Sequence, residues 1–180
     1  NYTVADAAGQ YLGVGDSVAE TFDGTGDDGE GGTVIQAVSV TVNGTNDGPE
    51  IGKSLVSMSV TEDATDPTLA TSGVVGFTDV DLTDTHTVSV APQGTPLGTV
   101  TASVTTAATG GGLGIATWNY TVANAAVQYL GVGDSLTETF DVTVDDGEGG
   151  TVIQAVSVTV NGTNDGPEIG KSLVSMAVPE

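Results

Sequence analysis

The chain has 180 residues, enough for one sandwich domain of ordinary size and part of another, and 38% of them are hydrophobic, so a packed core is within reach. Its 24 Asp and Glu face only Lys53 and Lys171, a formal net charge of −22 that repels phosphate backbones and anionic lipid and argues against nucleic-acid binding and direct membrane contact. With no cysteine there are no disulfides and no thiol chemistry, and no apolar run reaches the roughly 20 residues that span a bilayer.

Comparison of the chain with itself sets its organisation. Residues 1–62 reappear as 119–180, an offset of 118, with eight positions changed, and residues 29–50 recur unchanged as 147–168. A period near 118 is too long for a solenoid repeat or a propeller blade and fits one independent β-sandwich per repeat. Punctuation falls at Asn46-Asp-Gly-Pro-Glu50 and Asn164-Asp-Gly-Pro-Glu168, where Gly-Pro ends a strand. Residues 1–49 are therefore expected to be the back half of a preceding repeat, residues 50–165 a complete repeat, and residues 166–180 the first strand of the next.

In chain order, the complete repeat shows strand signals at 55–60, 74–78, 87–91 and 98–105, a glycine loop at 110–112, and another strand at 116–122. Residues 125–130 suit one short helical turn. Leu136, Phe140, Val142 and Val144 then alternate with Thr and Asp, so one face is apolar and the other wet. Asp146-Gly-Glu-Gly-Gly150 supplies a turn, and Val152, Val156, Val158 and Val160 continue the inward series, interrupted by Gln154 at a bulge or a sheet end. In the first copy Gly24 and Gly26 replace Val142 and Val144, so that copy has lost core. The predicted class is all-β, an antiparallel β-sandwich in tandem repeats.

Together these segments resemble the VCBS repeats of large bacterial RTX-type surface adhesins, whose units are cadherin-like and immunoglobulin-like sandwiches. The resemblance runs through Asp79-Val-Asp-Leu-Thr-Asp-Thr-His-Thr87, Trp118-Asn-Tyr-Thr-Val122, residues 126–140, Asp146-Gly-Glu-Gly-Gly-Thr151 and residues 158–167. It implies an extracellular or cell-surface extender that holds a binding tip away from the cell in adhesion or biofilm formation, with neighbouring repeats of the same chain as its partners.

The order of acids is similar to that of cadherin repeats, which implies calcium at the linkers. Calcium takes six to eight oxygen ligands, and an interdomain site draws them from a linker and both flanking domains. By that resemblance an upper site gathers Asn46, Asp47, Asp79, Asp81 and Asp146, with Asp16 from the preceding repeat. A lower site uses Glu62, Asp134, Asn164 and Asp165, with its remaining ligands from a following repeat. Asp84, Asp63 and Glu50 stand beside these sets without being assigned to them. The alternative for every one of these residues is a turn or solvated loop, which Asp and Asn favour for backbone reasons.

Catalysis is not expected. His86 is the sole histidine and reads as a polar residue at a strand end, Ser17 and Ser135 lack a histidine partner, and the carboxylates fall in turns and linkers. Trp118 reads as core. Two other readings remain: a glycan-binding module using Thr-rich strands such as 99–106, and a filament in which copies of the chain assemble by strand complementation.

Overall fold

A computed structural model describes residues 2–63, 65 and 67–167. The expected strand at residues 172–178 lies outside the described residues. The first copy contributes a one-turn 3-10 helix at Asp6–Ala8, then strands β1 (Ser17–Asp27) and β2 (Thr33–Asn43). Next come β3 (Glu50–Ile51), β4 (Ser57–Thr61), β5 (Thr68–Thr78), β6 (Thr87–Gln93), β7 (Thr99–Thr106) and β8 (Leu113–Ala123). A 3-10 turn at Asn124–Ala126 leads to β9 (Ser135–Asp145) and β10 (Thr151–Asn161).

Strands β3 to β10 form two four-stranded sheets, in the orders β4-β10-β9-β6 and β3-β5-β8-β7. All pairings are antiparallel except β4 with β10, which run parallel from Ser157↔Ser57 to Asn161↔Thr61. The entering segment thus splits between the sheets, β3 on one and β4 on the other, as in immunoglobulin-like and cadherin-like sandwiches. Val75, Phe77, Trp118 and Tyr120 of one sheet close against Phe140, Val142, Val144, Val156, Val158 and Val160 of the other, and all are buried. Pro92 is tolerated in β6 because that strand lies at a sheet edge.

One sequence expectation is refined. Gln154 marks no bulge: β9 and β10 pair without slippage from Thr151↔Asp145 to Asn161↔Ser135, and Gln154 lies opposite Val142 near the turn. Glu138, which interrupts the apolar series of β9, is buried rather than solvated. It accepts hydrogen bonds from the Tyr120 hydroxyl (2.8 Å) and from the amides of Leu97 and Gly98, so its charge is taken up by three donors. Burial, and then the Glu138 carboxylate, push the Tyr120 phenol well above its ordinary range.

The first copy is built differently around the same register. Strands β1 and β2 pair from Ser17↔Asn43 to Asp27↔Thr33, the counterpart of β9 with β10, and form a sheet of their own among the described residues. Phe22 is 46% exposed where its counterpart Phe140 is 2%, and Val38 is 51% exposed where Val156 is fully buried. Gly9, Gly24 and Gly26 stand where the second copy has the buried Val127, Val142 and Val144.

Candidate metal centre

The acidic residues after β5 are positioned by their own backbone. The Asp79 carboxylate accepts the Asp81 amide (3.0 Å), which turns the chain as it leaves the strand. The glycine loop between β7 and β8 straps this turn: Gly111 and Gly110, both at positive φ, donate their amides to the carbonyls of Asp79 (2.6 Å) and Asp81 (3.3 Å). His86 closes the turn from the far side. Its side chain is buried, its ring lies 4.9 Å from that of Phe77, and its Nε2 is 3.0 Å from Asp79 Oδ2. It stands immediately before β6, at the strand end the sequence suggests, and there it is a buried partner of Asp79.

Asp146 arrives from the turn between β9 and β10, where its Oδ1 accepts the amides of Glu148 (2.8 Å) and Gly150 (2.9 Å). The linker crosses directly above. Asn46 Nδ2 donates to Asp146 Oδ2 (2.9 Å), and the Asp47 amide donates to Asp81 Oδ2 (2.9 Å). Only glycine fits at 150, since a Cβ there would lie 2.1 Å from Asp146 Oδ2 and 2.7 Å from the Gly48 Cα.

The result is a nest of carboxylates withdrawn from water. Asp79, Asp81, Asp84 and Asp146 are all buried, and one oxygen from each of Asp79, Asp84 and Asp146 lies within 4.8 Å of the others. Asp81 Oδ1, Asp84 Oδ2 and Asn46 Oδ1 are buried without a hydrogen-bond partner. Burial, then the neighbouring Asp81, Asp79, Asp146 and Glu148, push the Asp84 carboxyl up to about 6. Burial likewise raises Asp81. Burial also acts upward on Asp146, but the donors from Asn46, Glu148, Gly150 and Gly149 outweigh it and hold that carboxyl below its usual range. Buried acceptor oxygens with no donor are costly alone and suit a hard cation.

The structure therefore brings together Asn46, Asp47, Asp79, Asp81 and Asp146 and adds Asp84 as a further member. Asp16 stands at the rim, accepting from the Thr83 hydroxyl (3.1 Å), while Gly13 next to it packs so closely that a Cβ would meet Asp84 Oδ1 at 3.2 Å. Of the other predicted set, Glu62 is buried and accepts from the Thr163 amide (2.7 Å) and Gln128 Nε2 (2.6 Å). Asp134 is exposed and caps its own turn by accepting the Gly131 amide (3.1 Å), and Asn164 and Asp165 are exposed. Asp63 and Asn124 fasten the start of this end through the Asp63 amide and carbonyl.

Fold and cluster define a class: a repeat-bearing β-sandwich chain in which a buried carboxylate nest sits where the linker meets the sandwich. Among solved structures the chain is similar to mouse clustered PcdhgC3 EC1-3, at 13% identity over 84% of this chain and 44% of that one, with a TM-score of 0.46. It is also similar to zebrafish RET cadherin-like domains 1 to 4, at 14% identity over 83% of this chain and 35% of that one, with a TM-score of 0.37. The chain spans less than half the length of either structure. No protein-family model and no curated protein matches it.

Proposed function

We propose that the chain is a structural extender of a bacterial surface adhesin of the VCBS-repeat type, stiffened by calcium at its linkers. The observation that carries this reading is the nest around Asp79, Asp81, Asp84 and Asp146, which leaves Asp81 Oδ1, Asp84 Oδ2 and Asn46 Oδ1 buried and partnerless while Asn46 and Asp47 of the linker hydrogen-bond to Asp146 and Asp81. An ion there takes oxygens from the linker and from the sandwich at once, so binding couples the orientation of the two. Without it the carboxylates repel and the linker is free to bend.

The same logic extends along a longer array. Asp134, Asn164 and Asp165 are the counterparts, 118 residues on, of Asp16, Asn46 and Asp47. With Glu62 they form the lower half of the next junction, which a following repeat completes. Repeat boundaries near residues 50 and 165 belong to this reading, as does an extracellular location, where calcium at about 10⁻⁴ to 10⁻³ M matches the affinity of extracellular modules. Neighbouring repeats are then the principal partners, and adhesion or biofilm formation the setting.

Small-angle scattering of the full chain, first with calcium and then with chelator, tests the proposal. The expected result is a longer maximum dimension and a narrower distance distribution with calcium. The same maximum dimension in both conditions would overturn it.

A further inference from the structure

Away from the carboxylate nest, a cleft of about 440 Å³ opens where β6 ends beside β9, a volume within the range of small-ligand sites. β6 pairs with β9 only as far as Gln93↔Thr139, whereas β9 begins at Ser135. On the other side of β9 the Gly162 amide donates to the Asp134 carbonyl (3.0 Å) and the Asp146 amide to the Gly150 carbonyl (3.1 Å). The even-numbered residues along β9 therefore turn their backbone groups toward β10. Thr137 turns its amide and carbonyl the opposite way, past the end of β6, and neither meets a hydrogen-bond partner among the described residues.

The segment that leaves β6 is fastened in place beside this free backbone. Its Leu97 and Gly98 amides donate to the buried Glu138 carboxylate, which also takes the Tyr120 hydroxyl. Only glycine lets the segment lie so close, since a Cβ at 98 would stand 2.3 Å from Tyr120 Cε2. Three donors leave Glu138 a further acceptor position, because a carboxylate has about four. Gln93 Nε2 donates to Asp141 Oδ1 (2.7 Å), which leaves the Gln93 carbonyl oxygen to accept. Pro96, Leu97 and Tyr129 add apolar surface to the lining. Tyr129 is 66% exposed, and its counterpart Tyr11, which a full sandwich follows, still keeps 40%, so a following repeat leaves this ring accessible.

We infer that this cleft binds one ring of a neutral polysaccharide. A pyranose has an apolar face, which matches Pro96, Leu97 and Tyr129. Its neighbouring hydroxyls donate and accept at once, which matches the Thr137 backbone, the Gln93 carbonyl and Glu138. An extended peptide fits less well, because β9 offers only Ser135 and Thr137 beyond the end of β6, too short an edge for strand addition. An anionic sugar would meet Glu138 and Asp141 in a chain of net charge −22. The cleft is built from residues 93–139 alone, so tandem copies would each carry one, and an array would hold a long polysaccharide by many weak contacts at once.

The cleft shares no residue with the nest, so binding is measured on the full chain in chelator and again in calcium. Amide NMR spectra titrated with maltose, cellobiose, lactose or diacetylchitobiose should shift at Leu97, Gly98, Thr137 and Glu138 for at least one of the four, alike in both buffers. Glucuronate should bind several-fold more weakly than that sugar. Tyr129→Ala, at an exposed position, should weaken binding about tenfold. Thr101→Ala, on the exposed face of β7, should leave it unchanged. No shift at these amides with any of the four sugars, glucuronate bound as tightly, affinity unchanged in Tyr129→Ala, or affinity lost in Thr101→Ala would overturn the inference.

Discussion

Substituting Asp84 with Asn should stabilise the metal-free chain and weaken its response to calcium. Asp84 is 7% exposed, and in the folded chain its carboxyl is raised from the usual 3.8 to about 6 by burial and then by the acids around it. A raised acid is favoured in its protonated form, so folding takes up a proton between these values and stability falls as pH rises from about 4 through 6. Two pH units correspond to about 3 kcal/mol at most. Exposed neighbours at Thr83 and Thr85 keep water close, and about 1 to 2 kcal/mol is the expected cost of the ionised group. Asn has nearly the same shape and no charge. Urea denaturation in chelator should therefore find Asp84→Asn more stable than the parent by that amount at pH 7.5, with the difference vanishing near pH 4. In saturating calcium the order should invert, because an ion present at 100 times its dissociation constant adds about 2.7 kcal/mol to the parent. Equal stabilities in chelator at pH 7.5, or a difference that does not change with pH, would refute the electrostatic account of the nest.

Gly150→Ala drives a methyl into Asp146 and the linker backbone; it should cost about 1 to 3 kcal/mol by overpacking, read by denaturation, and lower calcium affinity in a titration. Val142→Gly imports the residue of the first copy into a fully buried site. The loss of about 1.5 to 3 kcal/mol of burial, plus about 0.5 to 1 for glycine, should appear as a shifted urea midpoint. Glu62→Ala strands the Thr163 amide and Gln128 Nε2 and should destabilise by about 1 to 3 kcal/mol in the same assay, with or without calcium. Hydrogen exchange should find the exposed β1–β2 hairpin less protected than β9–β10, although the two pair in the same register.

What the sequence made legible was what repeats locally. Valine alternation at 142, 144, 156, 158 and 160 placed the inward faces of β9 and β10, because a strand side chain has only two directions to choose from. Asn46 and Asp47 stand in a segment that Gly48-Pro49 marks as a turn, whereas Asp79-Val-Asp81 carries no such punctuation and was singled out only through the resemblance to cadherin repeats. Asp84 was harder to place, since its burial depends on Asp146 and on Gly13, which come from distant regions of the chain. The roles of Glu138 and His86 were hidden for the same reason. A charged residue inside a β-strand is read as outward unless its donors are known, and those of Glu138 come from β8 and from the segment after β6. The long start of β5 at Thr68 also escaped notice, because Thr, Ala and Ser there carry little apolar signal.

The parallel pairing of β4 with β10 bears on how the chain would carry load in the proposed extender role. One strand stands near the entrance to the sandwich and the other at its exit, and they lie side by side pointing the same way. Tension along the backbone slides them past each other lengthwise instead of peeling them away from one end. The hydrogen bonds between residues 57–61 and 157–161 are then strained together, and none can fail without the others sharing its force. An antiparallel pair pulled from its open end would unzip rung by rung, so in the proposed extender this very short seam would resist extension along its whole length at once.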